Sequence, residues 1–145
     1  MAKESTAPDL VELMRRAIES GARGEVDEAM SIYGPDPVWD LSPTGLGTYR
    51  GLTAIRGLME DWLGAYAELE VEIGEILDLG HSVTLAIAHM SGRPVGSSAQ
   101  VQLEYASVAE WTDGLMTRVT QYTDIDEARA AAERLAQERA AGLTE

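Results

Sequence analysis

Asp40 is preceded by Val38 and Trp39, followed by Leu41, and leads into a loop carrying Pro43, Gly45 and Gly47. A carboxylate with such neighbours is partly desolvated; burial disfavours its charged form and raises its pKa toward that of a useful general base. A base of this kind removes a proton next to a substrate carbonyl. As scaffold, the same residue is an exposed loop carboxylate or one that binds loop amides. The two histidines differ in setting: His81 falls on a turn, and His89 lies in an apolar run. There it is either a proton carrier near neutral pH or a packed core side chain. With no cysteine and two histidines at unrelated positions, neither a thiolate site nor a dedicated zinc site is expected. The glycines are scattered through turns and form no P-loop, GxGxxG or GxSxG motif, so no cofactor is expected.

The elements that must position these residues come from a chain of 145 residues, 45% apolar, which suffices for one domain with a real core. That domain is expected over residues 8–140, after a flexible tail over 1–7. A formal charge of −14 argues against a nucleic-acid partner, because phosphate binding runs on clustered Lys and Arg. The apolar runs are too short for a membrane span, and MAKESTAPDL lacks the build of a signal peptide. Together with the missing cysteines, this fits a cytoplasmic setting.

Helical spacing runs from Pro8 through Leu10, Leu13, Met14, Ala17 and Ile18, and Gly21 and Gly24 end it. A short second helix places Val26, Ala29, Met30 and Tyr33 on one face before Gly34, Pro35 and Pro37. Val38–Leu41 reads as a strand. A third helix follows Gly51, with a stripe of Ile55, Leu58, Met59, Trp62, Leu63 and Tyr66. From Leu69 the period becomes two, with a bulge expected at Gly74. Val83–Met90 is nearly all apolar, as in a strand covered on both sides. Gln100–Trp111 alternates, with Tyr105, Ser107 and Trp111 on one face and Gln102, Glu104 and Glu110 on the other. Thr112-Asp113-Gly114 makes a hairpin turn into a last strand, where Gln121 and Thr123 share a face. Asp124 caps a final alanine-rich helix, with Glu127 completing a capping box. Its narrow stripe of Ile125, Ala128, Ala132 and Leu135 reads as a surface helix or a partner-contacting arm. Helices first and strands later make the class α+β.

In Tyr33–Asp40, Tyr49-Arg50-Gly51, Ala54-Ile55-Arg56 and Arg118–Asp124, over roughly residues 8–128, the chain resembles the superfamily of nuclear transport factor 2, ketosteroid isomerase and the SnoaL-like polyketide cyclases. The resemblance implies a cystatin-like, SnoaL-like roll: a cone-shaped curved antiparallel sheet wrapped around the N-terminal helices, with an apolar pocket at its open end. It implies an apolar small-molecule ligand, and a homodimer formed through the outer face of the sheet. It matches Asp40 to the isomerase's general base, and cyclase-like chemistry would pair His89 with Asp40.

Other parts of the relatives' machinery do not transfer. The isomerase's second acid falls on Ser107 and its oxyanion tyrosine near Ile18; the Arg and Asp of limonene epoxide hydrolase fall on Tyr105 and Ser107. Replacement polar groups and pocket walls are Tyr49, Trp62, Tyr105, Ser107, Trp111, Gln121 and Thr123. Two readings follow. One is a cofactor-independent isomerase, cyclase or hydrolase acting on a carbonyl-bearing or polycyclic substrate with Asp40 as base. The other is a non-catalytic ligand-binding or association module of the same fold.

Overall fold

The computed structural model describes residues 9–142; the expected tail over 1–7 and the helix start at Pro8 lie outside them. Helix α1 spans Leu10–Ala22, and Asp9 caps it by accepting a hydrogen bond from the Glu12 backbone N–H at 3.1 Å. Helix α2 is a single turn and a half, Val26–Met30. Strand β1, Tyr33–Asp40, is followed by a 3₁₀ turn at Ser42–Thr44, strand β2 (Thr48–Arg50) and helix α3 (Leu52–Ala65). Strands β3 (Tyr66–Gly80), β4 (Val83–Pro94), β5 (Val101–Thr112) and β6 (Leu115–Tyr122) precede helix α4, Ile125–Gly142.

The six strands form one curved sheet in the order β2-β1-β6-β5-β4-β3, so the α+β architecture expected from the sequence is the one observed. One pairing departs from the all-antiparallel expectation: β1 runs parallel to β6. Alternation of side chains tells which face a residue is on, not which way its neighbour strand runs. Strand β1 also begins earlier than expected. Tyr33 pairs with Met116 as a strand residue rather than closing α2, and the register shifts between Tyr33 and Val38, across the prolines. This half of β1 has no β2 partner, and edge or bulged positions are where a missing N–H is tolerated. Tyr66, likewise, opens β3 instead of ending α3. The bulge expected at Gly74 is present as a register shift between Ile73 and Glu75.

The two faces of the sheet have separate cores. On the inner face Met14 and Ala17 of α1, Ile55 and Met59 of α3, and Ala86, Ala109, Trp111 and Met116 of the sheet are buried together. On the outer face α4 lays Ala128, Ala132 and Ala136 against Val83, Leu85, Ile87, Ala106 and Val108. Three alanines spaced by four let the helix axis come close to the strands. Asp124 caps α4 through the Glu127 N–H at 3.0 Å, and Arg139 ties its far end to the carbonyls of His81 and Ser82, both at 3.0 Å. The final helix is thus a surface helix docked on its own sheet. It covers the apolar part of the outer face through which a homodimer was expected to form; the remainder carries Glu72, His89, Gln102 and Glu104, all exposed.

Candidate ligand cavity

Residues two apart on a strand face the same way, so β5 presents Tyr105 and Ser107 to the inner face, and Gln121 of β6 stands directly across from Ser107. Above them α1 brings Met14, Ala17, Ile18 and Gly21, spaced by three and four on one helical face. Trp39 of β1 and Met59 and Trp62 of α3 close the sides. The result is a cavity of about 80 Å³, lined chiefly by apolar side chains. The glycine at 21 keeps the helix wall thin; a Cβ there would meet the Met59 sulfur at 3.8 Å and its methyl carbon at 4.0 Å.

The polar atoms in this wall are few and neutral. Ser107 is 5% exposed, yet its hydroxyl makes no hydrogen bond with another described residue, and neither do the Tyr105 hydroxyl and the Gln121 amide. Burial pushes the Tyr105 phenol up to about 12. Tyr33, buried and lining the same cavity, is raised further still: burial dominates, the hydrogen bond from Trp39 offsets part of it, and the neighbouring Tyr105 adds to the cost of ionising. The Trp39 indole N–H donates to the Tyr33 oxygen at 2.8 Å, with the rings edge-on at 6.4 Å between centroids. All of these groups stay uncharged at physiological pH.

Asp40 lies on the other face. Trp39 points into the cavity and pairs with Val119, which also lines it; Asp40 is the next residue and pairs with Thr120. Its Oδ1 accepts hydrogen bonds from the Ser42 hydroxyl at 2.6 Å, the Ser42 N–H at 3.0 Å and the Thr48 hydroxyl at 3.3 Å. Its Oδ2 accepts from the Arg118 guanidinium at 2.7 Å. The Ser42 hydroxyl leads in holding the carboxyl below the usual aspartate range; burial opposes it, and the Ser42 amide and Arg118 add to the lowering. The desolvated, raised carboxyl expected from its apolar neighbours is replaced by a hydrogen-bonded one, because Trp39 faces the opposite way, into the cavity, and Asp40 meets Ser42, Thr48 and Arg118 instead. Beyond it Arg118 also approaches Glu110 at 3.9 Å, and Arg139 reaches Glu110 at 3.7 Å.

Of the other expected site residues, Trp62, Tyr105, Ser107 and Gln121 line the cavity. His89 does not: it pairs with Glu72 and Glu104 on the exposed outer face, while its neighbour Ala88 pairs with Tyr105 on the inner one. The proposed pairing with Asp40 is not made; that carboxylate is bonded to Ser42, Thr48 and Arg118. Trp111 is core, 2% exposed, donating to the Thr84 hydroxyl at 2.9 Å. Tyr49 packs at the edge of the inner core outside the cavity, and Thr123 lies beyond the end of β6, exposed. Tyr33, Trp39, Met59 and Met116 also line the cavity and were not singled out as site residues from the sequence. The signal that could have found Tyr33 and Trp39 is their separation of six, which puts both side chains on one face of an extended segment.

The profile of the SnoaL-like domain matches residues 14–119. No curated protein matches the chain significantly. Similar solved structures include a Catenulispora acidiphila protein with a ketosteroid isomerase-like fold in complex with trimethylamine, at 14% identity and a TM-score of 0.70, covering 83% of this chain and 92% of that one. An epoxide hydrolase of the limonene type from Mycobacterium tuberculosis is 20% identical with a TM-score of 0.67, over 86% and 90% of the two chains. A Shewanella putrefaciens protein bearing the name SnoaL-like polyketide cyclase is 11% identical, with a TM-score of 0.67 over 89% and 98%.

Proposed function

The chain belongs to the SnoaL-like domain family, and we propose that its cavity binds a small, uncharged, largely apolar molecule without transforming it. One observation carries the reading: among the described residues, no Asp, Glu, His, Lys or Arg contributes to the wall, while several neutral polar groups do. A site built for proton transfer needs a group that titrates within reach of the substrate. A site built for recognition needs apolar walls and a few placed polar atoms. The indoles of Trp39 and Trp62 would flank a flat ligand, and Ser107, Gln121 and Tyr105 would take its polar group. Structural neighbours bear the names of a polyketide cyclase and an epoxide hydrolase; an enzymatic reading of this chain with Asp40 as base would need that side chain to leave Arg118 and cross the sheet.

Titration with 2-acetylnaphthalene, followed by tryptophan fluorescence, tests the proposal, since two of the three tryptophans line the cavity. Saturable quenching is expected in the native chain and in Asp40→Asn, and is expected to vanish in Ala17→Phe, which fills the cavity from α1. Unchanged quenching in Ala17→Phe would place the binding elsewhere. A chemically altered ligand recovered from the native protein, but not from Asp40→Asn, would restore the enzymatic reading.

A further inference from the structure

Resting on that reading of the cavity, we propose that Tyr33, presented by Trp39, selects ligands whose buried polar group is a hydrogen-bond acceptor, a ketone or quinone carbonyl, over hydrocarbons of the same shape. A phenol has one hydrogen to donate and an oxygen that accepts. At Tyr33 the accepting side is engaged: the Trp39 Nε1–H donates to it at 2.8 Å. That bond leaves the phenolic hydrogen to point elsewhere, and no described residue accepts it. Tyr33 is 8% exposed and lines the cavity, so the unspent donor is out of water and next to the space a ligand would fill.

Accepting from an N–H also polarises a hydroxyl and makes it a better donor, as in any hydrogen-bonded chain. The neighbouring hydroxyls reinforce the bias. Tyr105 and Ser107 each carry a hydrogen that no described residue accepts. A carbonyl oxygen can take two of these donors at once through its two lone pairs. A carboxylate would meet the same donors but, among the described residues, no cation in the wall to compensate its lost hydration, so a neutral acceptor is the matching chemistry. The dyad is fixed by the backbone: Tyr33 and Trp39 are held in register on β6 by Met116 and Val119, both buried.

A matched pair of ligands separates this from mere apolar binding. Indane and 1-indanone share a ring system and differ by one carbonyl. The native chain is expected to bind the ketone roughly tenfold more tightly than the hydrocarbon, about what one satisfied buried donor contributes. Tyr33→Phe is expected to abolish most of that preference, read as the ratio of the two affinities within the variant, with its circular dichroism and thermal melt reporting that it is folded. Independently of any variant, the infrared carbonyl stretch of bound 1-indanone is expected below its value in hexane. Equal affinities for the two ligands in the native chain would overturn the proposal and leave the cavity reading intact. A preference that survives Tyr33→Phe, or a carbonyl stretch unshifted from hexane, would also overturn it. Failure of both ligands to bind would remove the cavity reading itself.

Discussion

The inner and outer faces of the sheet treat polar groups in opposite ways. On the outer face Asp40, Arg118, Glu110 and Arg139 form a continuous chain of contacts at 2.7 to 3.9 Å, and Asp40 spends both carboxylate oxygens on it and on Ser42 and Thr48. On the inner face the side chains of Ser107, buried, and of Tyr105 and Gln121, half-buried, have no hydrogen-bond partner among the described residues. Satisfied buried polar groups stabilise a fold, whereas unsatisfied ones cost free energy that a ligand can recover. The difference teaches where the proposed binding is to be tested: at the neutral groups that are unspent, not at the carboxylate that sequence context made prominent.

The largest effect should come from breaking the outer apolar seam. Ala132 is fully buried between α4 and the strands, and Ala132→Asp would place an unpaired charge there. A loss of roughly 3 kcal/mol or more is expected, or about 6–12 °C in melting temperature at this chain length. A variant that melts within about 2 °C of the native chain would mean that α4 is dispensable to the fold.

A smaller effect is expected from acid. Asp40 titrates lower in the folded chain than in the unfolded one, where aspartate has a pKa of about 3.9. Its bonds therefore contribute fully above that value, and the contribution is lost as pH falls through the lower, folded one. Stability measured by urea melts should fall as pH drops below about 4, and the fall should be shallower in Asp40→Asn. Identical slopes in the two proteins would show that the outer network is not coupled to Asp40. Fluorescence titrations with 2-acetylnaphthalene should be indifferent to that substitution if the two faces are as separate as the geometry indicates.

The smallest change in stability belongs to the inner face. Ser107→Ala removes a buried hydroxyl that makes no bond to another described residue, and should alter stability by less than about 0.5 kcal/mol, with either sign. A loss of 2 kcal/mol or more would reveal that Ser107 supports the fold and not a ligand.

Much of the fold is legible in local chemistry. Asp124 caps α4 because its side chain reaches the amide three residues on, and that depends on neighbours alone. Asp113 and Gly114 both adopt positive φ, 53° and 77°, as a two-residue hairpin turn requires. The long alternation of β5 fixes Tyr105 and Ser107 on one face, so half of the cavity's polar set is readable from spacing. The errors fall where the pattern is short or uniform. Helical spacing from Val26 through Ala29 and Met30 continues to Tyr33, and only pairing with Met116 shows that the chain has become a strand. Val83–Met90 is apolar at nearly every position, so alternation carries no signal for His89; the reason it is exposed is that α4 covers Val83, Leu85 and Ile87 but not His89.

The sequence by itself determined the α+β class, the hairpin turns and the Asp124 cap, because these rest on interactions within a few residues. Which face of the sheet Asp40 meets was decided only by tertiary structure. A step of one residue along a strand inverts the face, and the Val38–Leu41 segment is too short, and too close to two prolines, for its own pattern to say which side the helices will cover. That assignment comes from Val119 on β6 and from α1 and α3 closing over Trp39, contacts made by residues far away in the chain.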